Sequence, residues 1–203
     1  MSSVSDRIED VLDFWFGEVN ELGCSSPEHR KRWWTKSDAF DEAIKSHFLH
    51  EYEAVVAGEC ETWRNTARGA LAYIIVLDQF SRNMFRGTPE MFTADELARE
   101  ACCEGLDAGF DAELAFDERV FFYLPLEHSE EMADHRHCIE LFKGLLDGAP
   151  EPLAADAKNY LDFAARHEAI IEQFGRYPHR NGILGRASTP EETEFLKEPG
   201  SSF

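Results

Sequence analysis

Apolar residues recur along this chain at intervals of three and four positions, the spacing of one face of an α-helix. The first such stripe runs from Ile8 to Phe16, after a predicted N-cap at Ser5 or Asp6, and ends at Gly17. We therefore expect the chain to open with an amphipathic helix whose apolar face packs against a core.

The same spacing predicts eight more helices, while no stretch shows the apolar–polar alternation of a strand. Pro125 is expected to end one helix, so that a new one begins at Glu127 and carries His128, Met132 and His135 on one face. Short connections favour antiparallel neighbours, in a bundle or in the helix pairs of a superhelix. The predicted helices are 27–34, 38–57, 63–84, 94–105, 117–123, 127–146, 153–174 and 191–196.

The length and composition fit one compact all-α domain over residues 1–203, with frayed ends at about 1–5 and 198–203. Hydrophobic residues make up 43% of the 203 residues, enough for a substantial core. The chain shows neither a low-complexity linker nor a fixed internal period.

The charge balance narrows the classes of partner. A net charge of −20 and a pI near 4.7 disfavour binding to nucleic acids and to anionic membranes. The five cysteines, an odd number without a C-x-x-C pair, favour a reducing compartment, and the first residues lack the features of a secretory signal. These observations predict a cytoplasmic protein.

One predicted helical face is apolar along its first part and carries charged residues further on. Steps of three and four place Ile74, Asp78, Arg82 and Phe85 on one helical face, with Arg86 one turn further on. Asp78 and Arg82 can pair at i,i+4, which would make them a structural ion pair, or they can face a cavity that accepts a polar ligand.

Two histidines are also predicted on the inward face of a helix, with either a functional or a structural role. His128 and His135 are predicted to point inward, with Glu127 and Glu131 beside them on the helix. A Glu131–His135 hydrogen bond would fix a tautomer, and such a histidine could act as a general acid or base. A satisfied core histidine is the alternative interpretation.

A basic segment follows the last long helix. It runs Gly-Arg-Tyr-Pro-His-Arg-Asn-Gly in an otherwise acidic chain, and it favours a small carboxylate or phosphate ligand. The candidate ligand-binding residues here are Arg176, His179, Arg180 and Asn181.

Metal and cofactor motifs are absent from the sequence. The spacing of His128, Glu131 and His135 matches neither H-E-x-x-H nor a di-iron pattern, and no nucleotide-binding glycine motif or nucleophile elbow occurs. We predict neither a metal nor a cofactor.

Five ordered blocks of sequence resemble a known family. They are Val11–Gly17, Arg32–Trp34, Leu77–Gly87, Tyr123–Glu130 and Gly175–Asn181. They resemble domain-of-unknown-function family 924 from about Asp10 to Leu196. The resemblance implies a tetratricopeptide-like all-helical fold, chiefly in bacteria, without an assigned reaction, substrate or cofactor. The blocks contain Asp78, Arg82, Arg86, Glu127, His128, Arg176, His179, Arg180 and Asn181.

These observations lead to three functional hypotheses. The first is an interior pocket that binds a small anionic molecule through Arg82, Arg86, Arg180 and Arg176. The second makes it an enzyme, with His128 as general acid or base and Asp78 or Glu127 orienting it. The third is a module that binds a protein or peptide on a concave helical surface.

Overall fold

The computed structural model describes residues 3–201, and every regular element in that range is a helix. The predicted all-α fold is confirmed. The chain folds into two compact units. Unit 1 runs through Arg86 and continues from Glu90 to Pro125, while unit 2 comprises Gly87–Pro89 and the chain from Leu126 onward. A single domain over 1–203 stays a prediction.

Unit 1 contains the first six helices and most of the seventh, and a π-helix at Ile75–Phe80 joins the fourth helix to the fifth. Short 3-10 helices occur at Glu61–Asn65 and Phe110–Glu113. The α-helices are α1 (Val4–Phe16), α2 (Pro27–Trp33), α3 (Asp38–Val56), α4 (Ala67–Ile74), α5 (Ser81–Met84), α6 (Asp95–Asp107) and α7 (Phe116–His128).

Aromatic side chains from distant parts of the sequence form the core of unit 1. Trp15, Phe80 and Phe121 are each at most 1% exposed. The Trp15 ring meets the edge of Phe121 at 5.4 Å and that of Phe80 at 5.7 Å. Such edge-to-face pairs add to the free energy that apolar burial supplies. The core therefore ties α1 to α7 and to the π-helix.

A small residue lets α6 approach α7 closely. Gly105 is buried, and a Cβ atom built on it would lie 2.5 Å from Cζ of Phe122. Glycine is therefore needed at this position for the two helices to approach so closely.

Unit 2 is built around an antiparallel pair of long helices. In this unit α8 is Met132–Asp147, α9 is Ala154–Phe174 and α10 is Pro190–Phe195. Phe142 and Tyr160 stack across the first two of these helices at 6.3 Å. Gly175, in the left-handed region at φ +65°, ends α9 as the sequence predicts.

Three boundaries differ from the prediction. The N-cap of α1 is Ser3, whose hydroxyl accepts from the Asp6 amide, so the predictions of Ser5 and Asp6 as cap are wrong. α6 begins at Asp95 with Ala94 at its N-cap. The helix predicted from Trp63 begins only at Ala67, because Glu61–Asn65 forms a separate 3-10 turn.

Pro125 does not end its helix. α7 continues to His128, and the break falls at Ser129–Glu131 instead. Leu124 and Leu126 are buried on either side of the proline, so apolar packing offsets the lost backbone hydrogen bond. Consequently the prediction that His128 shares a helix face with Met132 and His135 is wrong.

The frayed ends predicted at about 1–5 and 198–203 stay a prediction, and residues 1, 2, 202 and 203 lie outside the described residues. Among the helices of residues 3–201, none is both long enough and apolar enough to cross a membrane.

Candidate functional site

A buried carboxylate lies inside the π-helix of unit 1. Asp78 is 0% exposed, and one of its oxygens accepts from Nε2 of Gln79 at 2.6 Å. The other oxygen lies 3.1 Å from Nη1 of Arg82. This is the i,i+4 pair that the spacing predicts, so a neighbour on the same stretch of helix compensates the buried charge.

Arg82 is shared between two carboxylates. Its Nη1 and Nη2 donate to the two carboxylate oxygens of Asp95 at 2.8 and 3.1 Å, and Nη1 also donates to the carbonyl oxygen of Asp78. The guanidinium lies 5.8 Å from the centre of the Phe92 ring. Arg82 thus links the end of the π-helix to the start of α6.

Arg86 also has an acidic partner in unit 1. Nε and Nη2 donate to Asp41 at 2.6 and 2.9 Å, and this hydrogen bonding raises the pKa of the guanidinium above its usual range. The predicted ligand-binding role of Arg82 and Arg86 stays a prediction, and a ligand would compete there with Asp95 and Asp41.

A cluster of imidazoles surrounds one buried tyrosine in unit 2. Tyr177 is 0% exposed, and its ring centre lies 6.0, 5.8 and 5.3 Å from those of His135, His167 and His179. His128 completes the set: burial is the main cause that lowers the pKa of each of these three imidazoles, and the charge of His128 adds to it. These four histidines with Tyr177 are called the imidazole cluster.

Tyr177 anchors the basic segment to the end of α7. Its hydroxyl donates to the carbonyl oxygen of Glu127, and its amide donates to Oε1 of Glu130 at 2.8 Å. Burial, reinforced by the charge of Glu127, raises the pKa of the phenol. Tyr177 is therefore a neutral hydrogen-bond donor at any physiological pH.

His167 is held neutral in the interior of unit 2. It is 5% exposed, and burial lowers its pKa to about 3, with the three neighbouring imidazoles adding to the effect. Nδ1 lies 2.9 Å from the carbonyl oxygen of Phe163 and 3.3 Å from Oε1 of Glu127. Because both neighbours accept, Nδ1 carries the proton and Nε2 carries the lone pair.

His135 is fixed by the turn between α7 and α8. Its Nε2 donates to the carbonyl oxygen of Ser129 at 2.8 Å, and burial lowers the pKa of the ring. The predicted hydrogen bond with Glu131 is wrong, because Glu131 stands at the N-cap of α8 with its side chain exposed.

Arg180 and His179 extend the cluster along the basic segment. The Arg180 guanidinium stacks 4.5 Å from the centre of the Tyr177 ring, and Nη2 donates to the carbonyl oxygen of His128 at 2.8 Å. His179 is half-buried, and burial together with the charges of Arg180 and His128 lowers its pKa to about 4. Burial is the main reason that His179 stays neutral, and the positive charge of Arg180 adds to it.

Arg176 and Asn181 belong to a second network, centred on Glu192 of α10. Arg176 donates from Nε and Nη2 to Glu192 at 2.6 and 2.8 Å, and Asn181 donates to the same carboxylate at 3.1 Å. The hydrogen bond from Arg176, opposed by desolvation and aided by the Thr189 amide, lowers the pKa of Glu192 to about 2. These two residues fasten the basic segment to α10.

The structure thus groups the predicted site residues into three sets. Asp78 and Arg82 meet in unit 1, where Arg86 binds Asp41. Glu127, His128, His179 and Arg180 meet around Tyr177 in unit 2, and Arg176 and Asn181 meet at Glu192.

Sequence reasoning missed Tyr177, Glu130 and Glu192. Glu130 accepts from Arg186 at 2.7 and 2.9 Å, a pair that joins residues far apart in sequence and leaves no local signal. Glu192 had a signal, because Thr189-x-x-Glu192 is a capping box, and the structure contains both of its hydrogen bonds. Tyr177 lies between Arg176 and Pro178, where nothing in the spacing marks it as buried.

No three His, Cys, Asp or Glu side chains within residues 3–201 are arranged to hold a metal ion.

Comparisons with known proteins identify a family and specify no activity. A family model described as "Bacterial protein of unknown function (DUF924)" matches residues 11–200, which confirms the resemblance seen in the five sequence blocks. A solved structure of a protein of unknown function from Agrobacterium tumefaciens is similar at 36% identity, with a TM-score of 0.83. The match covers 97% of this chain and 100% of that one. None of the curated proteins matches.

Proposed function

Because the chain belongs to the DUF924 family, whose description specifies no reaction, we propose its function from its own geometry: it binds a small anionic molecule at Arg180, His179 and His128. The ligand carries a carboxylate, phosphate or sulfate-like group. The observation that carries this proposal is the Arg180 guanidinium, which is held 4.5 Å from the centre of the Tyr177 ring in a cluster that includes two half-buried imidazoles, those of His128 and His179.

The guanidinium is well prepared to receive an anion. Stacking on Tyr177 and the hydrogen bond to the His128 carbonyl fix its plane, so little side-chain entropy is lost when a ligand binds. Burial to 7% exposure strengthens its field, because little water screens the charge. Neutral imidazoles add N–H groups that can donate hydrogen bonds to an oxyanion.

Binding is favoured over acid–base catalysis. The Glu127–His167 contact has the carboxylate–imidazole geometry of many acid–base sites, with Nδ1 oriented by an acceptor. A base whose pKa is about 3, however, removes protons poorly at neutral pH. The Glu127–His167 pair therefore orients the imidazole cluster, in which His167 stays neutral.

Sulfate is the sharpest probe, since its charge does not change near neutral pH. Isothermal titration calorimetry on the full chain compares wild type with His179→Asn and Arg180→Gln. Arg136→Gln, an exposed arginine on α8, is the matched control. We expect sulfate to bind wild type and Arg136→Gln alike at millimolar concentration and to bind both site variants at least about tenfold more weakly.

The pH dependence provides an independent readout. A bound anion raises the pKa of His179 above its value of about 4 in the free protein, so binding takes up a proton and tightens as the pH falls from about 6 toward 4. His179→Asn removes this dependence. Equal sulfate affinity in wild type and both site variants, with folding verified by circular dichroism, contradicts the proposed site.

A further inference from the structure

A groove lies between α1 and α3 in unit 1. Its lining contains none of the residues of the Asp78–Arg82 pair, of the imidazole cluster or of the network around Glu192. Its volume is about 290 Å³, comparable to that of sites for small molecules. It is lined by Arg7, Asp10 and Phe14 of α1 and by His47, Phe48 and Glu51 of α3.

Aromatic rings form the floor of this groove. Phe14 and Phe48 meet edge to face at 5.0 Å, and the His47 ring lies 6.2 Å from each of them. Aromatic faces attract cations through their quadrupole, and they also contact alkyl groups. The floor therefore suits the alkyl part of a ligand.

The first polar wall is an uncompensated carboxylate. Asp10 is exposed at the edge of the groove, and its side chain makes neither a hydrogen bond nor an ion pair with any residue in the described part of the chain. Asp13, on the same helix and also exposed, does not line the groove.

The second polar wall is a hydrogen-bond acceptor. Nδ1 of His47 lies 2.8 Å from the carbonyl oxygen of Ala43, which only accepts, so Nδ1 carries the proton. Nε2 then holds the lone pair on an exposed ring at the groove. A ligand with an N–H donor can therefore bind to it.

The charged side chains that line the groove favour one bound cation. Arg7 lies 3.4 Å from Glu51, and its guanidinium is also held 5.4 Å from the Trp63 ring centre. The two carboxylates and one guanidinium leave one negative charge uncompensated, in a chain of net charge −20. The field thus selects a monocation.

We propose that this groove binds a small primary alkylammonium compound. The ammonium group pairs with Asp10 and donates a hydrogen bond to Nε2 of His47, while its alkyl chain lies on Phe14 and Phe48. This site is independent of the anion site in unit 2, so either can fail alone.

The test uses n-butylammonium chloride, with n-butanol as a neutral analogue and tetramethylammonium chloride as a cation without N–H donors. Titrations on the full chain are followed by two-dimensional NMR of backbone amides in α1 and α3. We expect butylammonium to bind at about 1–10 mM and to shift those signals, and butanol to bind at least about fivefold more weakly. Tetramethylammonium binds more weakly than butylammonium because it cannot donate to His47.

Matched variants locate the contacts. Asp10→Asn weakens butylammonium binding by about fivefold, whereas Asp13→Asn, the same charge change one turn away, leaves it within about twofold. His47→Phe keeps an aromatic ring, so it weakens butylammonium without weakening tetramethylammonium.

Three results overturn the proposal. They are the absence of shifts in α1 and α3 at about 50 mM butylammonium, equal affinity for butanol, and equal losses in Asp10→Asn and Asp13→Asn. The last would show that general attraction to an acidic surface, and not this groove, accounts for the binding.

Discussion

Each unit buries a carboxylate beside a basic side chain, but the two pairs have different chemistry. In unit 1 Asp78 lies 3.1 Å from a guanidinium, which stays charged at every accessible pH. In unit 2 Glu127 lies 3.3 Å from the imidazole of His167, whose pKa of about 3 keeps it neutral near pH 7. Acid therefore changes the charge of the basic partner only in the second pair.

The largest effect is expected from Arg82→Gln. The substitution removes the guanidinium that lies beside the buried Asp78, and it also releases Asp95, so the free energy of unfolding falls by about 3–5 kcal/mol. All four tryptophans lie in unit 1, at positions 15, 33, 34 and 63, so their fluorescence during urea unfolding reports on this unit. Arg82→Lys should restore part of the loss, and a loss below about 1 kcal/mol would mean that Asp78 is compensated by other groups.

Acid should act on unit 2 through His167. Its pKa in the folded state lies below the value of about 6.5 in the unfolded chain, so the unfolded state binds more protons between these two values. This contribution to the free energy of unfolding is thus complete above about pH 6.5 and is lost as the pH falls toward 3, on the order of 3 kcal/mol by pH 4.

The matched variants for this pH dependence are His167→Gln and His137→Gln. The first should flatten the decline in the free energy of unfolding between pH 7 and pH 4, measured by circular dichroism. The second removes an exposed histidine from α8 and should leave the decline unchanged. An unchanged slope in both would assign the acid sensitivity to other groups.

Tyr177→Phe gives a smaller effect and separates the hydroxyl from the ring. The phenylalanine keeps the stacking with Arg180, but the carbonyl oxygen of Glu127 loses its donor in a buried place. We expect a loss of about 1–2 kcal/mol in urea unfolding, with sulfate binding retained. Loss of sulfate binding would show that the hydroxyl, and not only the ring, positions the anion site.

The smallest effect is expected from Arg86→Gln. This arginine follows Arg82 by one turn and also binds a carboxylate, but its side chain is 36% exposed. Exposed ion pairs contribute about 0.2–1 kcal/mol, so tryptophan fluorescence should show little change in the urea midpoint. A loss as large as that of Arg82→Gln would contradict the idea that burial separates the two pairs.

The sequence was most informative where an interaction is local. The stripe from Ile8 to Phe16, the glycine end of α9 and the Asp78–Arg82 pair all depend on residues within a few positions of one another. The same reasoning misplaced the break after Pro125, because the packing of Leu124 and Leu126 that sustains the helix comes from other parts of the fold.

The candidate site was harder to predict for a related reason. Arg180 and His128 were both selected, yet their hydrogen bond spans 52 positions, and nothing in the spacing indicated that Tyr177 would lie among the imidazoles. Nor did the spacing show that Arg176 would be bound to Glu192.

The π-helix at Ile75–Phe80 has a consequence for the phase of the helix that contains it. A π-turn accommodates one residue more than an α-turn, so α5 is rotated by about 100° relative to a continuous extension of α4. The π-helix thus accommodates one additional residue within the helix, without a loop. Deleting Val76 should restore a continuous α-helix and turn Arg82 away from Asp95. The ion pair between the two helices would then be lost through a change of register, although neither side chain is altered.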